Sequence, residues 1–256
     1  MNNIQLDPKY IPLFQEKTRY FITTGGRGSG KSFGVNVFLL NLTYEAGHKV
    51  LFTRFTLTSA AASIIPEFIE KIELMGVESD FRITKDEIIN LTTGSSIMFK
   101  GIRTSSGNQT AALKSLSGVT TFVLDEAEEL TDEDTFSKID FSIRSKVKQN
   151  RCILILNPTT KEHWIYQRFF MYPNVKEGTN GVKGDVTYIH TTFEDNKSNL
   201  SDSYLEQLYD LKKRNPVKYN HQILGGWLNK AEGTIITNWK VGQFLPYDLT
   251  CFGQDF

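Results

Sequence analysis

The feature that most constrains this chain is the stretch TTGGRGSGKSFG at residues 23–34. It follows an aromatic and β-branched run, RYFITT (19–24), and precedes apolar residues Phe33, Val37, Leu40 and Tyr44 at helical spacing. Gly25-x-x-x-x-Gly30-Lys31-Ser32 therefore sits where a strand passes through a tight loop into a helix, the P-loop arrangement that cradles phosphate. Glycines let backbone N–H groups turn inward and approach phosphate oxygens closely. The helix start adds unpaired N–H groups at the positive end of a dipole. The expected cradle is Gly25, Gly26, Arg27, Gly28, Ser29 and Gly30; Lys31 is the point charge for the β- and γ-phosphates, and the Ser32 hydroxyl is a Mg2+ ligand. A dinucleotide loop, Gly-x-Gly-x-x-Gly, is disfavoured because position 31 is lysine. Arg27 has two readings, a cation that reaches the γ-phosphate in the transition state or a surface ion pair.

Such a loop belongs to an α/β fold, and the remaining pattern agrees. KVLFTRF (49–55) reads as a strand and 64–75 as a helix with Pro66 in its first turn. Residues 87–102 read as a hairpin around a Thr-Gly-Ser turn; TTFVLDE (120–126) and RCILIL (151–156) read as buried strands. A helix capped by Thr131 should run to about Lys146 and another should lie near 161–171, followed by a strand at 185–192 and helices at 202–214 and 216–224. PNVKEGTNGVKGD (173–185) reads as an exposed excursion. Strands separated by helices predict a mostly parallel sheet flanked by helices. The last 25 residues, with Gly233, Gly242, Pro246 and Gly253, look like a tail leaving the domain.

Composition excludes more than it assigns. Formal net charge is zero, so the global balance does not announce a nucleic-acid binder. Residues 125–134 hold seven acids and no base, and 138–151 hold five bases against one acid, which are ordinary solvated faces when taken alone. Cys152 and Cys251 stand far apart in no metal spacing, which fits a reducing compartment. MNNIQLDPKY lacks the basic and apolar regions of a signal peptide, and no apolar run approaches membrane-spanning length.

Two further strand ends carry chemistry. Phe122-Val123-Leu124-Asp125-Glu126 places Asp125 where it can hold Mg2+ and Glu126 where it can orient or deprotonate an attacking water, the carboxylate a hydrolase needs. Glu128 and Glu129 read only as a solvated helix start. Asn157, before Pro158, lies at another strand's C-terminal end, where ligands of open α/β sheets sit. A GTPase is disfavoured, because no Asp-x-x-Gly follows the acidic strand and NKSN (196–199) lacks the guanine-reading aspartate.

Taken in order, GGRGSGKS, GSSIMFKGI, LKSLSG before FVLDEAEEL, LNPT with His163-Trp164, TTFEDN, GGWLNKAEGTII and Asn238-Trp239 resemble the large terminase subunit of tailed bacteriophages, the motor ATPase that packages DNA. The resemblance covers nearly the whole chain. It implies a P-loop NTPase of the additional-strand, catalytic-glutamate type, with ATP and Mg2+ as cofactors. It makes Gly25 to Ser32 the Walker A loop, Asp125 and Glu126 the Walker B acid and catalytic carboxylate, and Asn157 the coupling residue. Arg19 and Tyr20 are similar to residues that flank adenine in the family, and Arg144 and Lys114 are candidates for a cation donated in trans. The implied domain spans 1–232 with a small helical outer subdomain towards its end. Residues 233–256 would be a linker towards a nuclease that this portion lacks, with Asp255 left without partners. The implied partners are double-stranded DNA, a portal protein, a small terminase subunit and, during packaging, a homo-oligomeric ring that is a monomer in isolation. The implied place is the host cytoplasm, docked on the procapsid. A helicase-like ATPase and a nucleotide-gated assembly module with little hydrolysis are the alternatives; Glu126 argues against the second.

Overall fold

In the computed structural model, which describes residues 4–55, 60–102 and 117–229, nine strands build one sheet. They are β1 (Tyr20–Gly25), β2 (Lys49–Arg54), β3 (Phe81–Ile83), β4 (Glu87–Asn90), β5 (Ser96–Gly101), β6 (Thr121–Asp125), β7 (Arg151–Leu156), β8 (Gly181–Lys183) and β9 (Val186–Thr191). Their order is β3-β4-β5-β2-β6-β7-β1-β9-β8. The six strands from β5 to β9 in that order run parallel, while β3, β4 and β8 add antiparallel edges. The expected α/β class holds. β7 lies between the loop strand β1 and the acidic strand β6, which is the additional strand of the expected type.

Both faces of the sheet are covered, so its central strands are near-continuous apolar runs. On one face Phe21, Phe52, Val123 and Ile153 pack with α1 (Lys31–Leu42) and α2 (Ile65–Met75). On the other, Ile22, Leu51, Phe122 and Leu154 pack with α3 (Glu133–Asp140), Trp164 and Phe169. A smaller unit, α4 (Asp202–Arg214) and α5 (Pro216–Gln222), has its own cluster of Phe193, Leu208, Tyr219 and Ile223.

Several element boundaries differ from expectation for identifiable reasons. The cap of α3 is Asp132, whose carboxylate accepts from the N–H groups of Asp134 and Thr135. Thr131, one residue earlier, does not cap it. That helix stops at Asp140, where the buried carboxylate is taken by Arg19 and Tyr20. The excursion at 173–185 ends in β8, paired with β9. The 161–171 segment is Trp164–Tyr166 followed by a wider turn at Gln167–Met171. α1 ends at Leu42 and is apolar nearly all round, because the sheet, α2 and the N-terminal arm enclose it. The predicted tail lies outside the described residues.

Candidate functional site

Parallel register brings the ends of β1, β6 and β7 together: Thr24 stands beside Leu156 and Asp125 beside Ile155. Past Gly25 the chain turns through Gly28 and Gly30, both at φ 75°, and enters α1 at Lys31. Those two positions demand glycine, since an L side chain at such φ is strained. Gly26 to Phe33, Glu126 and Asn157 line one open cavity of about 470 Å³.

Lys31 is buried at the centre of this arrangement. Its ammonium donates to the carbonyls of Gly25 (3.0 Å) and Gly26 (2.9 Å), to Ser29 Oγ (3.2 Å) and to Asn157 Oδ1 (3.0 Å). Burial lowers its pKa to about 8, against the opposing pull of Glu128 and Asp125. The Asn157 amide nitrogen donates in turn to Glu128 Oε1 at 3.0 Å. Loop lysine and strand-end asparagine thus meet directly, 126 residues apart in sequence.

The acidic strand end is equally defined. Asp125 is buried, and its Oδ2 accepts from Arg54 at the adjacent end of β2, with Nη2 at 2.7 Å and Nε at 2.8 Å. Glu126 follows at φ 53°, a left-handed conformation that strains a non-glycine residue. That geometry turns its half-exposed carboxylate into the cavity, 3.9 Å from Arg54. Burial raises its pKa above the usual carboxylate range although Arg54 pulls it down. Arg54 was not legible as a site residue; the only signal was its place at the end of an apolar strand.

The remaining candidates divide. Arg27 is exposed, lines the cavity and makes no ion pair among the described residues, so its surface-pair reading finds no partner. Its backbone N–H donates to Gln222 O at 2.9 Å. Arg19 and Tyr20 are not near the loop. Tyr20 begins β1, about 16 Å of extended chain from Gly25, and Arg19 precedes it; both are committed to Asp140, Arg19 Nη2 at 2.6 Å and Tyr20 Oη at 2.7 Å. The adenine-flanking expectation for them is therefore corrected: they lock α3 to the far end of the sheet. Arg144 is exposed at that same far end, and Lys114 lies outside the described residues.

A second cavity of about 350 Å³ shares Ser29, Gly30 and Phe33 with the first. Its other walls include Gln5, Asp7 and Tyr10 of the N-terminal arm and Asp195 and Asn196 of the turn after β9. Lys9 pairs with Asp195 at 2.7 Å, and Asn196 Nδ2 donates to Gly28 O at 2.9 Å, so arm, turn and loop are tied together. Sequence reasoning missed the arm, in which Asp7 caps the turn Pro8–Tyr10.

Mg2+ favours oxygen ligands and takes few from protein when phosphates supply the rest. A hydroxyl at Ser32 and a carboxylate at Asp125 fit that donor set, and among the described residues no His/Cys/Asp/Glu cluster offers a self-sufficient metal site. No helix among them is long and apolar enough to cross a membrane.

The sequence model of the phage terminase large subunit matches residues 17–226. The chain is 24% identical to the terminase large subunit of Bacillus phage SPP1 over 272 residues, covering 95% of this chain and 61% of that relative. It is 27% identical to the PBSX phage terminase large subunit of Bacillus subtilis over 218 residues, covering 81% and 49%. The chain thus spans about half to three-fifths of the curated relatives it matches. Its fold is similar to the large terminase of a thermophilic bacteriophage, at TM-score 0.66 and 15% identity over 88% of this chain and 54% of that one. It is also similar to the large terminase ATPase domain of Thermus phage P74-26, at TM-score 0.60 and 16% identity over 87% and 92%.

Proposed function

The chain belongs to the phage terminase large-subunit family, and from that premise we propose that it is the Mg2+-dependent ATPase part of a motor that moves double-stranded DNA into a procapsid. The observation that carries the reading is convergence: the glycine loop, Glu126 and Asn157 line one cavity, with Lys31 reaching from the loop to Asn157. A binding module needs the loop; only a hydrolase needs a strained glutamate facing it. No observation favours the helicase-like or low-turnover alternatives.

The triphosphate would lie along Gly25 to Ser32, with Lys31 and Arg27 against its terminal charges. The thermophilic phage's large terminase, similar in fold, is also described in complex with ATP-gamma-S, where the TM-score is 0.64. Ser32 and Asp125 would hold Mg2+, which when bound neutralises phosphate charge. Glu126 takes the proton of the attacking water as the water oxygen bonds to the γ-phosphorus and the bond to the departing ADP breaks. The 350 Å³ cavity beside Gly30 is the place for ribose and base, in the role first expected of Arg19 and Tyr20. Residues 1–232 form the ATPase domain, with α4 and α5 its outer subdomain. Asn157 couples γ-phosphate loss to motion, and a cation from a neighbouring ring subunit, Arg144 or Lys114, completes the charge. Portal protein and small terminase subunit are its assembly partners at the procapsid in the host cytoplasm.

The test is Glu126→Gln. Removing a general base costs roughly 10²–10⁴-fold in rate, so turnover should collapse while Mg-ATP still binds. Unchanged turnover would sink the reading.

A further inference from the structure

Glu128 was expected to be a solvated helix start, and its surroundings say otherwise. It follows β6 by three residues in the short turn Ala127–Glu129. One oxygen, Oε1, accepts from Asn157 Nδ2; the other, Oε2, is buried with no side-chain hydrogen-bond partner among the described residues. Burial of a carboxylate oxygen is costly, and the Asn157 hydrogen bond and the nearby Lys31 charge offset part of that cost. The same hydrogen bond orients an amide. An asparagine amide presents a donor on one side and an acceptor on the other. With Nδ2 fixed on Glu128, Oδ1 must face Lys31, and it does so at 3.0 Å.

We infer that Glu128 is a positioning residue that latches the empty site: it fixes the Asn157 amide so that its oxygen holds the Lys31 ammonium inside the loop. The inference rests on the ATPase reading and deepens it. Lys31 is bound by four oxygens of the protein itself, three of them from the loop. A triphosphate must draw the ammonium away from some of these. When it does, Asn157 loses the partner of its oxygen while its N–H group stays on Glu128. The amide is then free to turn its donor towards the phosphates, which takes from the Glu128 carboxylate the side-chain hydrogen bond that Asn157 gave it. Release of Lys31 is thereby converted into a destabilised Glu128 on the turn that leads to α3. The coupling assigned to Asn157 becomes an exchange of partners by one amide.

A latch competes with nucleotide, so removing it must tighten binding. In Glu128→Ala, the Kd for Mg-ATP, read with a fluorescent ATP analogue, should fall by roughly three- to tenfold, the order of the net worth of one hydrogen bond. kcat should not rise with it. Glu128→Gln keeps a carbonyl that accepts from Asn157, so its Kd should return towards the wild-type value. Asn157→Ala should abolish the effect: adding Glu128→Ala to it should leave Kd unchanged, because Glu128 acts through that amide. A merely structural Glu128 would weaken binding in Glu128→Ala and add to Asn157→Ala, and either result overturns the latch. If the wild-type chain fails to bind Mg-ATP at all, the ATPase reading falls and takes the latch with it. Wild-type binding with an unmoved Kd in Glu128→Ala removes the latch alone.

Discussion

At the residue scale the site is governed by where charge is buried. Lys31 is enclosed by loop oxygens, and burial lowers its pKa to about 8. A triphosphate placed against it supplies negative charge, which favours the protonated form. As pH rises past about 8 the empty chain therefore loses the Lys31 charge, which bound phosphate favours keeping. Binding there should take up a proton. ATP affinity should then fall as pH rises above 8, and calorimetry in buffers of different ionisation enthalpy should read proton uptake at pH 9 and little at pH 7. Equal values at both would mean that Lys31 does not meet the phosphates. Arg54 presents the converse case. It holds the buried carboxylate of Asp125 through two nitrogens. Arg54→Ala leaves that charge unpaired, which costs on the order of 3–5 kcal/mol; a much smaller loss in urea unfolding would place water, not Arg54, as the aspartate's main partner.

At the scale of elements, the P-loop is clamped from above as well as built from below. A methyl group on Gly26 would fall 1.9 Å from Ile223 O, and one on Gly225, at φ 72°, would fall 2.7 Å from Gly25 Cα. The helical unit thus rests directly on loop backbone. Gly225→Ala should lift it, lowering stability by about 1–3 kcal/mol and exposing the Arg27 N–H, now bonded to Gln222 O, to faster hydrogen exchange. Unchanged exchange at Arg27 would show that unit and loop are not coupled there. These contacts also mark the limit of what was legible. The loop, the parallel strands and the acidic strand end follow from local pattern: glycine spacing, apolar runs, Asp125-Glu126. Glu128, Arg54 and the N-terminal arm are set by contacts between elements far apart in sequence, which periodicity does not encode. The α3 cap shows the same at short range. Thr131 and Asp132 are both fit cap residues, and only the chain path after Leu130 selects the second. Asp132→Ala should lower the denaturant midpoint, and Thr131→Ala should leave it nearly unchanged.

At the scale of the whole molecule, the question is whether the site is complete within one chain. Among the described residues, the cations that line the cavity are Lys31 and Arg27. Arg144 lies at the opposite end of the sheet, so it cannot reach the phosphates held by its own chain. If it serves a nucleotide, that nucleotide belongs to a neighbour, and turnover per subunit must rise with protein concentration and with duplex DNA that gathers subunits. The DNA effect should weaken steeply with salt, because phosphate contacts release counterions. A mixing experiment separates trans action from simple crowding. Glu126→Gln lacks the base but keeps every cation; Arg144→Ala lacks the cation but keeps the base. Each alone should be slow. In a mixed ring an Arg144→Ala site can border a Glu126→Gln subunit, which supplies the missing arginine, so equal mixtures should recover a substantial fraction of wild-type turnover. The same mixture with Lys114→Ala in place of Arg144→Ala tests the other candidate. Recovery with one and not the other assigns the trans cation. Full activity of Arg144→Ala and Lys114→Ala alone would mean that Arg27, from within the loop, supplies the charge in cis.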